Sequence, residues 1–453
     1  MSQLERANFG SKIGVILATA GSAVGLGNVW RFPYMAGDNG GAAFIIIYVA
    51  CILVLGIPCM INEFIIGRHA QSNTARAYNK LSGGKMWTLV GVLSVLTGFL
   101  ITGYYAVVSG WCLQYVYASL AGHLQGDANY VQNYFTQFEQ NPYKPITWTV
   151  LFLLATHYVI SHGVRDGIEK ASKMMMPTLF ILLLVIVVAS CLLPGAERGI
   201  KFLFHPDFTK LTPDVFLSAL GQSFYSLSIG MGCLCTFASY FNRDTNLTRS
   251  AVQIAVIDSF VAILAGLMIF PAAFSVGVNP DSGPSLVFIT LPNVFNQAFV
   301  SMPLIGYVVS ILFYGLLALA ALTSLISLHE VSTAFFHEEL HITRKRAAII
   351  VTVCCSIIGA FCSLSLGQNS SLQIAGKPLF EIFDFVTGQI FLPIAGLFTC
   401  IFIGWYLPHK LIRNEFTNNG TLRGRFFHIY IFCVKYACPL FIILIFLHQF
   451  GLI

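Results

Sequence analysis

What most constrains this chain is the recurrence of apolar runs about as long as a bilayer is thick. Crossing the hydrocarbon core as a helix takes roughly 20 residues. Runs at 146–160 (extended on both sides), 175–193, 307–328, 347–364 and 426–446 approach or reach that length. Little is left to face water: of 453 residues, 10% are charged and 56% hydrophobic, with a mean hydropathy of +0.76. A soluble chain of this length needs far more charged surface. Strands of a membrane barrel alternate apolar and polar residues over short segments, and these runs do not. The pattern predicts an all-α integral membrane protein.

Eleven transmembrane helices are expected, near 11–37, 42–69, 88–122, 146–163, 168–193, 214–241, 247–277, 304–338, 344–366, 378–406 and 425–449. With the N-terminus inside, the inner connections hold Arg68, Arg76, Lys80, Lys85, Arg165, Lys170, Lys173, Arg243, Arg249 and the basic residues at 344–346 and 410–425. The outer connections hold only Lys144, Arg198, Lys201, Lys210 and Lys377. This positive-inside asymmetry predicts a multi-pass protein of the cell (cytoplasmic or inner) membrane with a cytoplasmic N-terminus. It also accounts for the net charge of +6 without a nucleic-acid partner. No removable signal peptide is expected, because residues 1–37 lack a compact apolar core followed by a small-residue cleavage site. Most of the twelve cysteines fall inside spans, where they read as small packing residues rather than a disulfide framework. The segment 280–303, rich in proline, reads as an outer lid.

Two spans are interrupted in the same way. Gly21-Ser-Ala-Val-Gly-Leu-Gly-Asn28 lies in span 1, and Ser226-Leu-Ser-Ile-Gly-Met-Gly232 in span 6. Glycine costs about 1 kcal/mol of helix propensity relative to alanine, so both helices are weak in mid-membrane. Each is the first span of a five-span half. Unwound backbone in a bilayer is tolerated only where protein or a watery site satisfies it. Matching interruptions in two halves therefore point to a binding site at their interface; the competing explanation is close packing of small residues. The expected organisation is a single transporter domain, a 5+5 inverted repeat with halves at about 11–193 and 214–406 and an extra helix at about 425–449.

The run from Gly21 through Asn28-Val-Trp-Arg-Phe-Pro-Tyr34, followed by Asn39-Gly-Gly41, resembles the first-helix signature of the neurotransmitter:sodium symporters. Gly56-Ile-Pro58 with Glu63 and Gly67-Arg68, then Gly221 through Ser228, then Leu322-Thr-Ser324, fit the second, sixth and eighth helices in order. The resemblance, which extends to the family's bacterial eleven-helix amino-acid transporters, implies a sodium-coupled symporter working by alternating access with two sodium sites. One sodium would take the Ala23 carbonyl, Asn28, Ser226, Asp258 and the substrate's carboxylate. The other would take the carbonyls of Gly21, Val24 and Ala320 with the hydroxyls of Thr323 and Ser324. All are oxygen ligands, as a hard cation prefers. Asp258 stands out on its own chemistry, because an ionisable group deep in a span is costly unless used. Many family members carry asparagine there, and relatives that need chloride bind it nearby. A built-in carboxylate therefore predicts chloride independence.

At Gly25 the amine transporters of the family have an aspartate; its absence implies a substrate with its own carboxylate, an amino acid. The pocket walls would be Ile101, Tyr105, Tyr225, Met231 and Leu328, which suits a hydrophobic side chain, aromatic ones included. Tyr105 would donate to the substrate carboxylate and Ser228 would accept from its ammonium. Ala23, Gly25, Gly27 and Ser226 at the breaks complete the contacts. By the same mapping, Arg31 and Asp384 close the outer path, with Tyr225 as lid and Gln222 nearby. Arg6 with Glu338, helped by Phe9 and Tyr240, closes the inner one. The stretch between Gly167 and Pro177 is expected to unwind and admit water. No organic cofactor, nucleic acid or obligate protein partner is implied; the partners are the substrate and the bilayer.

Two readings compete. His337-Glu-Glu-Leu-His341 matches the H-E-x-x-H pattern of zinc metalloproteases, with two histidines on one helix face and Glu338 as general base. It sits at the inner end of span 8, without a persuasive third ligand downstream. A passive channel is the other, and it leaves the polar oxygens of the breaks without a purpose.

Overall fold

The structure, a computed structural model, describes residues 8–278, 286–367 and 371–452. Among them, eight helices are long and apolar enough to cross a membrane. They are span 2 (Ala42–Ala70), span 3 (Thr88–Leu120), span 5 (Val164–Cys191), span 7 (Leu247–Ser275), span 8 (Pro303–Glu339), span 9 (Arg344–Ser365), span 10 (Leu379–Tyr406) and span 11 (Phe427–Gln449). A ninth is the bent pair Lys12–Ala23 and Gly27–Asp38, whose halves meet at 54°. Two of the eleven expected spans fall outside this set. Lys144–Ser161 is a continuous helix that carries Lys144, Thr156 and His157, and span 6 is split into Pro213–Ser226 and Cys233–Ala238. The order of helices along the chain follows the expected one, and all twelve cysteines are free thiols.

Both expected breaks are present. Span 1 leaves the helix at Val24, whose backbone is extended (φ −73°, ψ 103°). Span 6 leaves it between Leu227 and Gly232, where Gly230 and Gly232 take φ of 85° and 75°. Ser228 takes φ 53° there, a left-handed conformation that costs a residue bearing Cβ of order 1 kcal/mol or more. Its hydroxyl donates to the Ser22 carbonyl at 2.8 Å, so the strained turn of span 6 is tied to the break in span 1.

The freed amides of span 6 are met by Glu63 of span 2. Its carboxylate accepts from Gly230 N–H at 2.7 Å and Cys235 N–H at 3.2 Å, fully inside the protein. Close approach of the two helices is allowed by Gly67, where a Cβ would run into the Cys235 carbonyl. Other polar groups of the spans turn back on their own helix: Thr19, Thr97, Thr102, Thr149 and Thr156 all donate to the carbonyl four residues earlier.

Span 2 ends in a second buried anchor. Arg68 is 1% exposed and donates to Glu415 Oε2 at 2.7 Å, to the Thr245 carbonyl at 2.5 Å and to Asn418 Oδ1 at 2.8 Å. It thus gathers the connections after spans 6 and 10. Outside the spans, helix Ala128–Glu139 covers the loop after span 3. The expected lid is partly described: residues 286–298 form a turn and a short helix, held by Tyr115 Oη and Tyr314 Oη to the carbonyls of Phe288 and Val287. Residues 280–285 lie outside the described set.

Two outcomes follow. Replacing Glu63 by alanine leaves two buried N–H groups without an acceptor, at about 1–3 kcal/mol each. Thermal unfolding in detergent should show a lowered Tm for Glu63→Ala and a smaller loss for Glu63→Gln, which keeps one carbonyl oxygen. At the loop anchor, burial alone raises the Glu415 carboxyl, but the His69 hydrogen bond and the Arg68 guanidinium together hold it below its ordinary value. A carboxylate lowered in the fold stabilises above its ordinary pKa, and that contribution is lost as pH falls through the folded value. Glu415→Gln should therefore flatten the acid limb of Tm against pH.

Candidate functional site

The two breaks face each other, and Asp258 of span 7 lies between them. Its carboxylate, fully buried, accepts from Asn28 Nδ2 at 2.7 Å, from Ser226 Oγ at 3.0 Å and from Tyr48 Oη at 3.1 Å. Asn28 also donates to Ser226 Oγ at 3.3 Å, and its Oδ1 accepts from Gly25 N–H at 3.0 Å. Three of the residues expected at the first sodium site are thus in direct contact. The Asn28 side chain can turn its oxygen or its nitrogen inward, since assignment of an amide rests on its network. Tyr48 of span 2 was not among the expected residues; an aromatic residue in an apolar run carries no sequence signal of such a role.

A second cluster of oxygens lies where span 8 passes the break in span 1. Thr323 Oγ1 is 3.3 Å and Ser324 Oγ 3.4 Å from the Val24 carbonyl. Thr323 also reaches the Ala320 carbonyl at 2.9 Å and that of Leu319 at 3.2 Å. Gly21 faces the same threonine, since a Cβ there would come within 3.3 Å of Thr323 Cβ. Val24, Ala320, Thr323 and Ser324 of the expected second sodium site are thus joined by hydrogen bonds, and Gly21 packs against Thr323. Every donor is a neutral oxygen, a set suited to a monovalent hard cation.

All ten residues expected to bind substrate line one small cavity of about 40 Å³, together with Ser22, Leu26 and Ser324. Tyr105 Oη accepts from Leu26 N–H at 3.4 Å, which leaves its own proton to donate into the cavity. Ser228 gives its proton to Ser22 and keeps its lone pairs. A Cβ on Gly25 would run into Ser324 Oγ, so a side chain there has to displace that hydroxyl. Sites for small molecules run from about 300 Å³ upward, so a bound molecule must spread the walls or extend beyond them. Leu26, Gly27, Tyr105 and Tyr225 also line a much larger cavity of about 770 Å³ that reaches Arg31, Trp111 and Asp384.

The expected outer pair is apart. No ion pair within 4.0 Å joins Arg31 to Asp384 among the described residues. The Arg31 guanidinium carbon instead lies 4.3 Å from the centre of the Tyr225 ring, and Asp384 accepts from Tyr104 Oη at 3.1 Å. Gln222, one turn before Ser226, has both polar side-chain atoms buried without a hydrogen-bond partner.

The opposite end of the site is packed shut. Phe9 sits edge-on to Phe237 and Tyr240, each with centroids 6.1 Å away, and its N–H donates to the Tyr240 carbonyl at 3.2 Å. Arg6 lies outside the described residues. Glu338, its expected partner, accepts from the N–H and Nδ2 of Asn73 at 2.9 and 3.0 Å. Tyr240 Oη donates to Glu330 at 2.6 Å, and Glu330 pairs with Arg344. A glutamate inside the long apolar span 8 was a readable signal for this missed residue. Glu169 accepts from Gly10 N–H at 2.6 Å and Ser11 Oγ at 2.7 Å, fastening the start of the chain to span 5. The stretch between Gly167 and Pro177 is wound here, a helix that begins with a wide turn at Val164–Glu169 and runs on through Pro177.

The zinc motif does not assemble. Span 8 ends at Glu339, and His341 has a left-handed backbone (φ 53°) beyond it, so the two histidines do not share a helix face. His337 Nδ1 is 2.5 Å from the Ile342 carbonyl, and Glu338 is held by Asn73. The metalloprotease reading is thereby withdrawn.

Several known proteins have related chains. The profile of the sodium:neurotransmitter symporter family matches residues 6–144 and 128–452. An uncharacterized sodium-dependent transporter of Bacillus subtilis, YhdH, is 38% identical, with all of both chains covered. The human sodium- and chloride-dependent GABA transporter 2 is 26% identical over 90% of this chain and 74% of its own. Among solved structures, MhsT in complex with L-phenylalanine superposes with a TM-score of 0.88 at 40% identity, covering 98% of this chain and all of that one. This chain belongs to the sodium:neurotransmitter symporter family, whose members are sodium-dependent transporters and not enzymes.

Proposed function

We propose that the chain imports a hydrophobic amino acid, aromatic ones included, together with two sodium ions and without chloride. One observation carries this reading: two oxygen clusters and an apolar pocket meet at the facing breaks of spans 1 and 6. The first sodium would sit among the Ala23 carbonyl, Asn28, Ser226 and Asp258, and the second among Gly21, Val24, Ala320, Thr323 and Ser324. A substrate carboxylate at the break would complete the first sodium shell and accept from Tyr105. Its ammonium would meet Ser228 and the carbonyls of the span 6 break. The L-phenylalanine bound to MhsT supports an amino acid with an apolar side chain held by Ile101, Met231, Leu328 and the two tyrosines. Asp258 supports chloride independence, because a fixed carboxylate already supplies the negative charge beside the site.

Positive-inside orientation puts the large cavity on the outer side, so this conformation faces outward. Import then requires the reverse arrangement. Arg31 would leave Tyr225 for Asp384 as Tyr225 covers the pocket. Rearrangement at this gate could also give the buried Gln222 amide a partner. On the inner side the Phe9 packing and the Glu169 bonds to Gly10 and Ser11 would open. Release of Glu169 from the start of the chain frees the stretch before Pro177 to unwind, since proline leaves one carbonyl of that turn without its N–H partner.

The reading is tested by uptake of labelled amino acids into liposomes. An inward sodium gradient should drive accumulation of phenylalanine or a similar amino acid. Replacing sodium by potassium should abolish it, and replacing chloride by gluconate should leave it unchanged. Asp258→Ala should remove it. Accumulation that needs chloride would retire the role given to Asp258 while keeping the symporter. Gly25→Asp should cut uptake at least tenfold, since the new side chain meets Ser324; normal uptake by that variant would contradict the pocket assignment.

A further inference from the structure

Cys59 of span 2, Cys400 of span 10 and Cys438 of span 11 bring their sulfurs within 4.8 Å of one another, away from the transport site. All three side chains are buried, at 2%, 0% and 0% exposure. The Cys59 and Cys400 sulfurs are 3.6 Å apart. The cluster has supporting contacts of its own. Asn62 Nδ2 donates to Cys400 Sγ at 3.5 Å, and Asn62 Oδ1 accepts from Tyr430 Oη at 2.7 Å, which fixes the amide's orientation. Small packing residues need no such arrangement, whereas metal-binding sulfurs are characteristically oriented by second-layer hydrogen bonds.

We propose that Cys59, Cys400 and Cys438 form a site for one univalent soft cation of the copper(I) class. Geometry allows it without rearrangement of the helices. With metal–sulfur bonds of about 2.3 Å, a three-coordinate ion needs sulfurs about 4 Å apart, which the present spacing brackets. Softness favours it, since thiolate donors select copper(I) among biological metals. Ligand count disfavours zinc, whose structural sites take four ligands; among the described residues three sulfurs are the whole set. Each sulfur that bonds the ion gives up its thiol proton to solvent, since the thiolate and not the thiol is the ligand. Three S–H bonds are exchanged for three copper–sulfur bonds, and Asn62 Nδ2, which donates to Cys400 Sγ, offsets part of the negative charge. No oxidant or reductant enters the step.

Occupancy would join span 2 to spans 10 and 11. Cys59 lies one turn before Glu63, the residue that holds the break in span 6, so the ion would stiffen the support of that break. The test is anaerobic titration of the purified full chain with copper(I) against the chromogenic chelator bathocuproine. One ion per chain should be retained, with X-ray absorption showing sulfur neighbours only. Cys400→Ser and Cys59→Ser should each lower retention at least tenfold. Cys354→Ser, which alters a cysteine elsewhere, should leave it unchanged. Sodium-dependent binding of phenylalanine, measured in parallel, checks that the variants are folded. Equal retention by the wild type and by a folded Cys400→Ser variant overturns the proposal, as does a shell containing nitrogen or oxygen.

Discussion

Backbone that leaves a helix inside a bilayer exposes N–H and C=O groups to surroundings that offer no partners. This chain does so twice, and the rest of its architecture is arranged around satisfying those groups. Glu63 accepts two amides of the span 6 break. Ser228 returns a hydrogen bond to the span 1 break, and Asn28 ties the same break to Asp258. The same breaks bring together carbonyl and hydroxyl oxygens of Ser22, Val24, Ser226, Ser228, Thr323 and Ser324. Hard cations and a zwitterion are ligands that such a set can take, so the means of stabilising the interruption and the means of binding are the same atoms.

The distribution of contacts across the molecule is uneven in a way that matters for transport. At the end of the site where Phe9 packs, Phe9, Glu169, the Glu330–Arg344 pair and the buried Arg68 bind separate segments together. At the opposite end, Arg31, Asp384 and Gln222 line or adjoin a wide cavity with no ion pair or hydrogen bond among them within the described residues. A carrier has to exchange these two conditions, and each cycle therefore breaks buried polar contacts at one end while making them at the other. Ligands shift such an equilibrium only by differential affinity for the two states. Sodium and substrate contacts at the breaks are where that difference is expected to arise.

Much of the candidate site was legible because its signals are local. Glycine clusters at Gly21–Gly27 and Gly230–Gly232 weaken a helix wherever they stand, and the long span 1 motif carries the resemblance that named the pocket residues. Other parts were not legible because they depend on contacts distant in sequence. Nothing in the apolar run around Tyr48 tells that its hydroxyl meets Asp258 some 210 positions later. Tyr240 of the expected inner gate also bonds Glu330, two turns before Glu338 on the same helix, a contact that no local pattern announces. The histidine motif misled because a pattern of spacing presumes a continuous helix, and span 8 stops before His341. Lys144–Ser161 and the split span 6 fall short of the length and apolarity of the other spans: the first carries Lys144, Thr156 and His157, and the second is divided at its break.

The central claim is that sodium and an amino acid share one site, with the substrate carboxylate in the first sodium shell. Binding energies of two ligands coupled in this way are reciprocal. Equilibrium binding of labelled phenylalanine to the purified protein, measured across sodium concentrations with potassium as replacement, tests this directly. The account predicts that affinity for phenylalanine rises with sodium, and that apparent sodium affinity rises by the same factor when phenylalanine is present. Phenylalanine binding of equal strength in sodium and in potassium would contradict it.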